Sequence, residues 1–286
     1  MWVKHDTSWL KTFHKRDNKL IVGMIGDIVG RPGRVMIKTF LKDIKTKHNI
    51  DIVIANSENI SHGFGMTEKN LKEMQKAGID VFTGGNHSFD KKDDYKVVLS
   101  NSSVLRPANY PDEVDGKGVG IYTFADEKFA VINMMGQFTM PICDNPFRKA
   151  IQIVDELTKK NIKHIIMDFH AETTAEKRVM IKLFENKVSA IFGTHTHIGT
   201  DDYEINDGTF YVSDIGLTGC RDNIIGMHSK VPTQKFLTGI GGHFEVDNNC
   251  DKIMQIVIID INDEGKTTKA KKLKIYNNKE TVQTTI

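Results

Sequence analysis

LIVGMIGDIVGRPGR, residues 20–34, is the stretch from which the fold can be read. Leu20–Gly26 is a short apolar run ending in glycine, the pattern of a buried strand. Asp27 stands at its carboxyl end. Pro32-Gly33 then precedes a helical stretch, Arg34–Lys47, with apolar positions at Val35, Ile37, Phe40, Leu41 and Ile44. Strand, polar loop, helix is therefore the unit to look for in the rest of the chain.

The unit recurs. Asp51–Ala55 reads as the next strand, followed by a polar, glycine-bearing loop, Asn56–Met66. Thr67 can cap a helix over Glu68–Ala77 that stops at Gly78. Strand Ile79–Thr83 runs into GGNHSFD, and Gly120–Phe124 with Lys128–Asn133 are close enough to pair as a hairpin. A helix near Phe147–Lys159, strand His164–Phe169, helix Ala175–Glu185 and strand Val188–Phe192 continue the alternation. Beyond it the chain turns mostly to strands. Asn206-Asp207-Gly208 is a hairpin turn between Tyr203–Ile205 and Thr209–Val212, and Lys252–Asn262 with Lys266–Tyr276 form another hairpin. This order predicts an α/β fold, with two facing sheets between helices, in a single domain over residues 19–286.

Composition narrows the class. With 39 Lys and Arg against 37 Asp and Glu in 286 residues, the net charge is +2, which excludes a general electrostatic grip on nucleic acid. Hydrophobic residues at 39% and charged ones at 27% are those of a globular protein with a real core. The longest apolar runs fall short of the ~20 residues of a membrane span. Residues 1–18 carry scattered charges and no apolar core segment, so they read as an extension and not a secretory signal; a cytoplasmic protein is expected. Cys143, Cys220 and Cys250 lie far apart with no C-x-x-C pair, and are expected to be reduced, buried thiols. The run KAKKLK, Lys269–Lys274, is expected to be a lysine-protected edge strand.

In α/β sheets ligands gather beyond the carboxyl ends of strands. Each of five such ends carries a potential metal ligand: Asp27; Glu58 and Asn59; Asn86 and His87; His170; His195 and His197. One such residue has a bland reading as turn or loop chemistry. Five in succession are hard to obtain by accident. His195 and His197 are two apart, so on extended backbone both rings would leave one side. Glu58 and Asn59 are neighbours and could serve one site only from an irregular loop. Arg31 and Arg34 could contact phosphate, though solvated charges at a helix start explain them as well. His62 sits beside glycines of a potential substrate loop, where an exposed histidine is the default. Phe64 could stack on a base or belong to the core.

The order GD, acidic residue, GNH, His, G-x-H-x-H resembles the calcineurin-like metallophosphoesterases. GDIVGRPGR, NSEN with GFGMT, TGGNHSFD, GTHTH and SDIGLTG resemble more closely their YmdB-type bacterial branch, from Leu20 to about Asp260. The resemblance implies a sandwich of two mixed β-sheets flanked by helices. It implies one metal ion on Asp27, Glu58, Asn59 and His197, and a second on Glu58, Asn86, His170 and His195, with Glu58 bridging. It implies that His87 assists the leaving group. Val29 stands where the broad superfamily has the histidine of D-x-H, and Glu58-Asn59 replaces GD-x-x-D; both departures resemble the YmdB-type branch.

Such a site suits phosphoester hydrolysis. Two divalent cations facing only Asp27 and Glu58 leave net positive charge even with a bridging hydroxide, which draws an anionic phosphoryl group. His, carboxylate and amide donors favour Fe or Mn, with Mg or Zn also able to bind. The expected activity is a binuclear metal-dependent phosphodiesterase, and the resemblance implies 2′,3′-cyclic and, less directly, 3′,5′-cyclic nucleotides as substrates. The alternatives are a phosphomonoesterase or nucleotidase with the same ligands, or a regulatory RNA-associated protein with incidental hydrolysis. A homo-oligomer is allowed by the sequence, and no membrane or strong nucleic-acid partner is indicated.

Overall fold

The computed structural model describes residues 19–286, so the extension expected over residues 1–18 lies outside the described residues. β1 (Lys19–Ile25) leads into α1 (Gly30–Lys47), β2 (Ile52–Asn56) into α2 (Glu68–Ala77), and β3 (Val81–Thr83) into the short α3 (Tyr95–Ser100). The hairpin of β4 (Val119–Phe124) and β5 (Glu127–Met135) is followed by α4 (Pro146–Lys159), β6 (His164–His170), α5 (Thr174–Phe184) and β7 (Ala190–Thr194). Then come β8 (Glu204–Asn206), β9 (Thr209–Val212), β10 (Gly219–Cys220), α6 (Lys230–Thr238), β11 (Lys252–Asn262), β12 (Thr267–Tyr276) and β13 (Lys279–Thr285).

These strands make two mixed sheets. The 7-stranded sheet has the order β13-β12-β11-β1-β2-β3, with β10 also on β11; β1, β2 and β3 are parallel, and β11 reverses direction beside β1. The 6-stranded sheet has the order β4-β5-β6-β7-β9-β8, parallel from β5 to β9 with an antiparallel strand at either edge.

Strand alternation decides which layer each side chain joins. From β1, Leu20, Val22 and Met24 meet Val131, Ile166, Phe192 and Val212 between the two sheets. Its Ile25 turns the other way, against Ile37 and Leu41 of α1 and Leu71 and Met74 of α2. In β5, Phe129 and Val131 face the inter-sheet layer, while Ala130, Ile132 and Met134 pack with α4 and α5. The result is helix, sheet, sheet, helix. Parallel β1, β2 and β3 bring their carboxyl ends to one edge, and parallel β6 and β7 do the same in the second sheet.

Several expectations need correction. α1 begins at Gly30 instead of Arg34, because a proline in the first turn sacrifices no intrahelical hydrogen bond. β7 runs to Thr194, two residues past the expected end, which brings its end directly to His195. The KAKKLK segment is no edge: β12 lies between β11 and β13, and β13 takes the edge. Its Lys272 is buried, donates to the Thr200 carbonyl at 3.3 Å, and is pushed down to about 8 by burial. Cys220 and Cys250 are not free thiols but form a disulfide, because β10 pairs beside the start of β11 and brings their Cα atoms to 5.7 Å. Cys143 is free and half-buried. α3, α6 and β13 have no strong period in sequence; α6 buries only Pro232, so nothing patterns its faces. Among the described residues no helix is long and apolar enough to cross a membrane.

Candidate metal centre

The carboxyl ends of β1, β2, β3, β6 and β7 meet at one place, and all seven expected ligands stand there. They form two groups. In the first, His170 Nε2 lies 3.0 Å from Glu58 Oε1, 3.1 Å from Asn86 Oδ1 and 3.1 Å from His195 Nδ1. In the second, His197 Nε2 lies 3.3 Å from Asn59 Oδ1 and 3.7 Å from Asp27 Oδ1. Asp27 Oδ1 is also 3.9 Å from His170 Nδ1, which ties the two groups together.

Local backbone makes this convergence possible. The segment after β2 is a run of turns, so neighbouring Glu58 and Asn59 face different groups, as an irregular loop permits. Gly85 precedes Asn86 where a Cβ would fall 2.2 Å from His170 Cδ2 and 2.5 Å from Glu58 Oε2, so only glycine fits. The H-x-H segment departs from expectation. His195 and His197 are not extended: their φ angles are 100° and 65°. Left-handed backbone splays the rings, His195 to the first group and His197 to the second. Positive φ at two non-glycine residues of one motif is a costly backbone conformation that the surrounding contacts must hold.

A shell of polar groups holds the rings. His170 Nδ1 is 3.0 Å from Thr194 Oγ1, which donates to Asp168 Oδ1 at 2.7 Å. Asn56 Nδ2 and Thr83 Oγ1 also donate to Asp168. His197 Nδ1 is held by the Ile225 carbonyl at 2.7 Å, and His195 Nε2 by Glu172 at 3.0 Å. Sequence reading missed these supports. Asp168 was legible, since a carboxylate inside the apolar strand HIIMDFH, two before His170, shares its face. A carbonyl such as that of Ile225 leaves no trace in sequence.

The electrostatics are those of a buried ion pair beside an unsatisfied acid. Burial opposes ionisation of Glu58, but the His170 cation bonded to it holds the carboxyl down at about 2. His170, despite the opposing effect of burial, is raised to about 9 by Glu58 and the acids around it. Burial and the His170 charge push His195 down to about 3, so it is neutral. Burial raises Asp27. Among the described residues Asp27 Oδ1 is the one buried side-chain polar atom with no hydrogen-bond partner. Buried oxygens are rarely left so, and a cation would satisfy it. The donor set of carboxylate, amide oxygen and imidazole fits divalent first-row metals.

His87 sits at the rim. Its backbone N–H donates to Glu58 Oε2 at 2.9 Å, its Nδ1 is 2.7 Å from Asp90, and Phe64 packs edge-on at 5.0 Å between centroids. Phe64 is half-buried, packed against the cluster of Val29, Leu217, Met227 and Ile253, with its ring against that of His87. Arg31, Arg34 and His62 are not among the converging ligands. They line a neighbouring cavity between α1 and α2. His62 is exposed, and Arg34 is bound to Glu73 at 3.1 Å and to the Ile60 carbonyl at 2.7 Å.

The family described as "YmdB-like protein" matches residues 24–273. A Bacillus subtilis (strain 168) protein named "2',3'-cyclic-nucleotide 2'-phosphodiesterase" is 38% identical over 243 residues, covering 85% of this chain and 91% of that protein. A Mycoplasma pneumoniae crystal structure described as a novel phosphatase superposes with a TM-score of 0.86 at 31% identity, over 91% of this chain and 94% of that one. A Thermus thermophilus structure described as a hypothetical protein gives 0.84 at 29% identity, over 90% and 99%.

Proposed function

The chain belongs to the YmdB-like family and is a hydrolase of the metallophosphoesterase type, and from that premise we propose that it is a binuclear phosphodiesterase opening 2′,3′-cyclic nucleotides, with 3′,5′-cyclic monophosphates as a secondary class. The observation that carries this reading is the convergence of seven donor side chains, among them Asp27 with a buried oxygen that accepts no hydrogen bond. Asp27, Asn59 and His197 would hold one cation, Asn86, His170 and His195 the other, and Glu58 both. When bound, the cations supply positive charge for an anionic phosphoryl group and acidify a water for attack.

The chain's own residues do the rest. Adding water across the P–O2′ bond puts hydroxyl on phosphorus and a proton on the departing O2′, leaving a 3′-phosphate monoester. We assign the delivery of that proton to His87. Asp90 lies 2.7 Å from its Nδ1 and would orient the imidazolium, protonated on both nitrogens, so that its Nε2–H gives the proton to the leaving oxygen and the neutral Nδ1–H ring remains. Phe64 restricts the ring's swing. Among the described residues no Ser or Cys is one of the converging donors, so direct attack by water with no covalent enzyme intermediate is the reading favoured. Glu172 and Thr194 orient His195 and His170 from behind, as outer groups orient metal-bound imidazoles elsewhere.

The test is hydrolysis of adenosine 2′,3′-cyclic phosphate by the Mn-loaded protein, before and after chelation, alongside His87→Ala. Chelation should abolish turnover. The variant should keep its metal by elemental analysis yet lose about 10²–10⁴-fold in kcat, the usual weight of general acid–base catalysis. Activity indifferent to chelation would overturn the reading, and metal loss in the variant would make His87 a ligand.

A further inference from the structure

Five basic residues outside the centre share one place. Arg31, Arg34 and Lys38 of α1, His62 of the loop after β2, and Lys69 of α2 line a cavity of about 720 Å³. Its two carboxylates are committed: Glu73 pairs with Arg34 at 3.1 Å and Lys38 at 2.5 Å, and Asp94 accepts the Glu68 N–H at 2.9 Å. Among the described residues Arg31 and Lys69 have no ion pair, and both are exposed. Four cations against two carboxylates leave the cavity positive. The first turns of α1 and α2, with their partial positive charge, form its walls.

This cavity adjoins the metal centre through one strip of backbone. The Arg34 guanidinium donates to the Ile60 carbonyl at 2.7 Å, next to Asn59. Gly30, at the head of α1 and next to Arg31, donates its N–H to the Asn59 carbonyl at 2.9 Å. A ligand at the centre thus has a basic groove one loop's width away. Arg and Lys spread along a groove match several phosphates in series better than one compact anion.

We propose that this groove is a second phosphate subsite, taking the upstream phosphodiester linkages of an oligoribonucleotide whose 2′,3′-cyclic phosphate end lies in the metal centre. The proposal rests on the phosphodiesterase reading above. It makes chain ends, not free cyclic mononucleotides, the preferred substrate, so the enzyme would act after a reaction that cleaves RNA to leave cyclic phosphate termini.

Two experiments test it separately from the chemistry. With Mn-loaded protein, KM for a trinucleotide ending in 2′,3′-cyclic phosphate should be about tenfold or more below that for adenosine 2′,3′-cyclic phosphate, and the gap should close with rising salt as phosphate contacts are screened. Arg31→Ala/Lys69→Ala should erase most of the gap while costing the mononucleotide far less. In chelated protein, a labelled trinucleotide with a plain 3′-hydroxyl should bind by fluorescence anisotropy, and the double variant should weaken it about tenfold. Lys69→Glu alone, at an exposed position, should do the same in part. Equal KM values with no trinucleotide binding would overturn the proposal. So would a groove that binds pyrophosphate but gives no trinucleotide preference, since it would then serve a free anion. Trinucleotide binding lost in the variants, in a protein that hydrolyses neither substrate, would uphold the groove and refute the reading of the centre.

Discussion

Glu58, Asn86, His170 and His195 already hold one another at about hydrogen-bond distance, whereas Asp27, Asn59 and His197 stand farther apart with one buried oxygen unclaimed. The difference is one of charge compensation. In the first group a His170 cation answers the Glu58 carboxylate, so desolvation is offset by a direct ion pair and by Asn86. In the second, Asp27 is fully buried, its nearest cation-capable nitrogens are 3.7 and 3.9 Å away, and burial raises its pKa. A preformed half and a half that still wants a cation predict different affinities. The second group should gain most from a metal, and the first must give up a proton to receive one.

Glu58 is the largest lever on this contrast, since it touches His170 with one oxygen and the His87 N–H with the other. Glu58→Ala should lose metal from both groups and take activity to background, read by elemental analysis and turnover together. A variant that stayed loaded and active would break the idea that one carboxylate serves both halves.

Thr194→Val sharpens the comparison by touching only the first half. It keeps the shape of the side chain but removes the hydroxyl between His170 Nδ1 and Asp168. Metal affinity should fall by about 10–100-fold at one site of the pair, the usual effect of losing an outer-shell partner. Competition titration against a chelator should resolve one weakened and one unchanged equivalent; equal weakening would mean the halves are not separable.

The smallest effect is with pH. His170 in the metal-free protein is raised from its ordinary 6.5 to about 9, chiefly by Glu58 once the opposing effect of burial is overcome. Its stabilising contribution is therefore complete below about pH 6.5 and is lost as pH rises through about 9. Metal binding needs the neutral ring, so affinity should climb over the same window. Thermal melting of chelated protein should drop modestly from about pH 6 to about pH 10, while metal affinity rises. Parallel slopes, or none, would remove the ion pair from the account.

Much of this was legible in advance, for reasons visible in single residues. Thr67 and Gly78 bracket α2 as the sequence demanded, because a hydroxyl cap and a left-handed glycine act within a few residues. The alternation in β1 and β5 sorted side chains between layers because strand period is local. All seven candidate ligands converge because each stands where a strand stops and its loop begins. The edge assignment for KAKKLK failed for the opposite reason. Its composition suits an exposed strand, but β13 pairs across it, and that pairing depends on chain far from the lysines. The disulfide was invisible because Cys220 and Cys250 are brought together only when β10 settles on β11.

Sequence alone determined the inventory at the centre and its order: the strands that lead into it, which donors stand at their ends, and that the donors are acids, amides and imidazoles. Tertiary structure decided who faces whom. The splay of His195 and His197, the carbonyl of Ile225 behind one ring, and the migration of Arg31, Arg34 and His62 to a groove of their own follow from backbone conformation and long-range packing. Spacing encodes proximity along the chain; direction in space is set only when distant elements press the loop into one conformation.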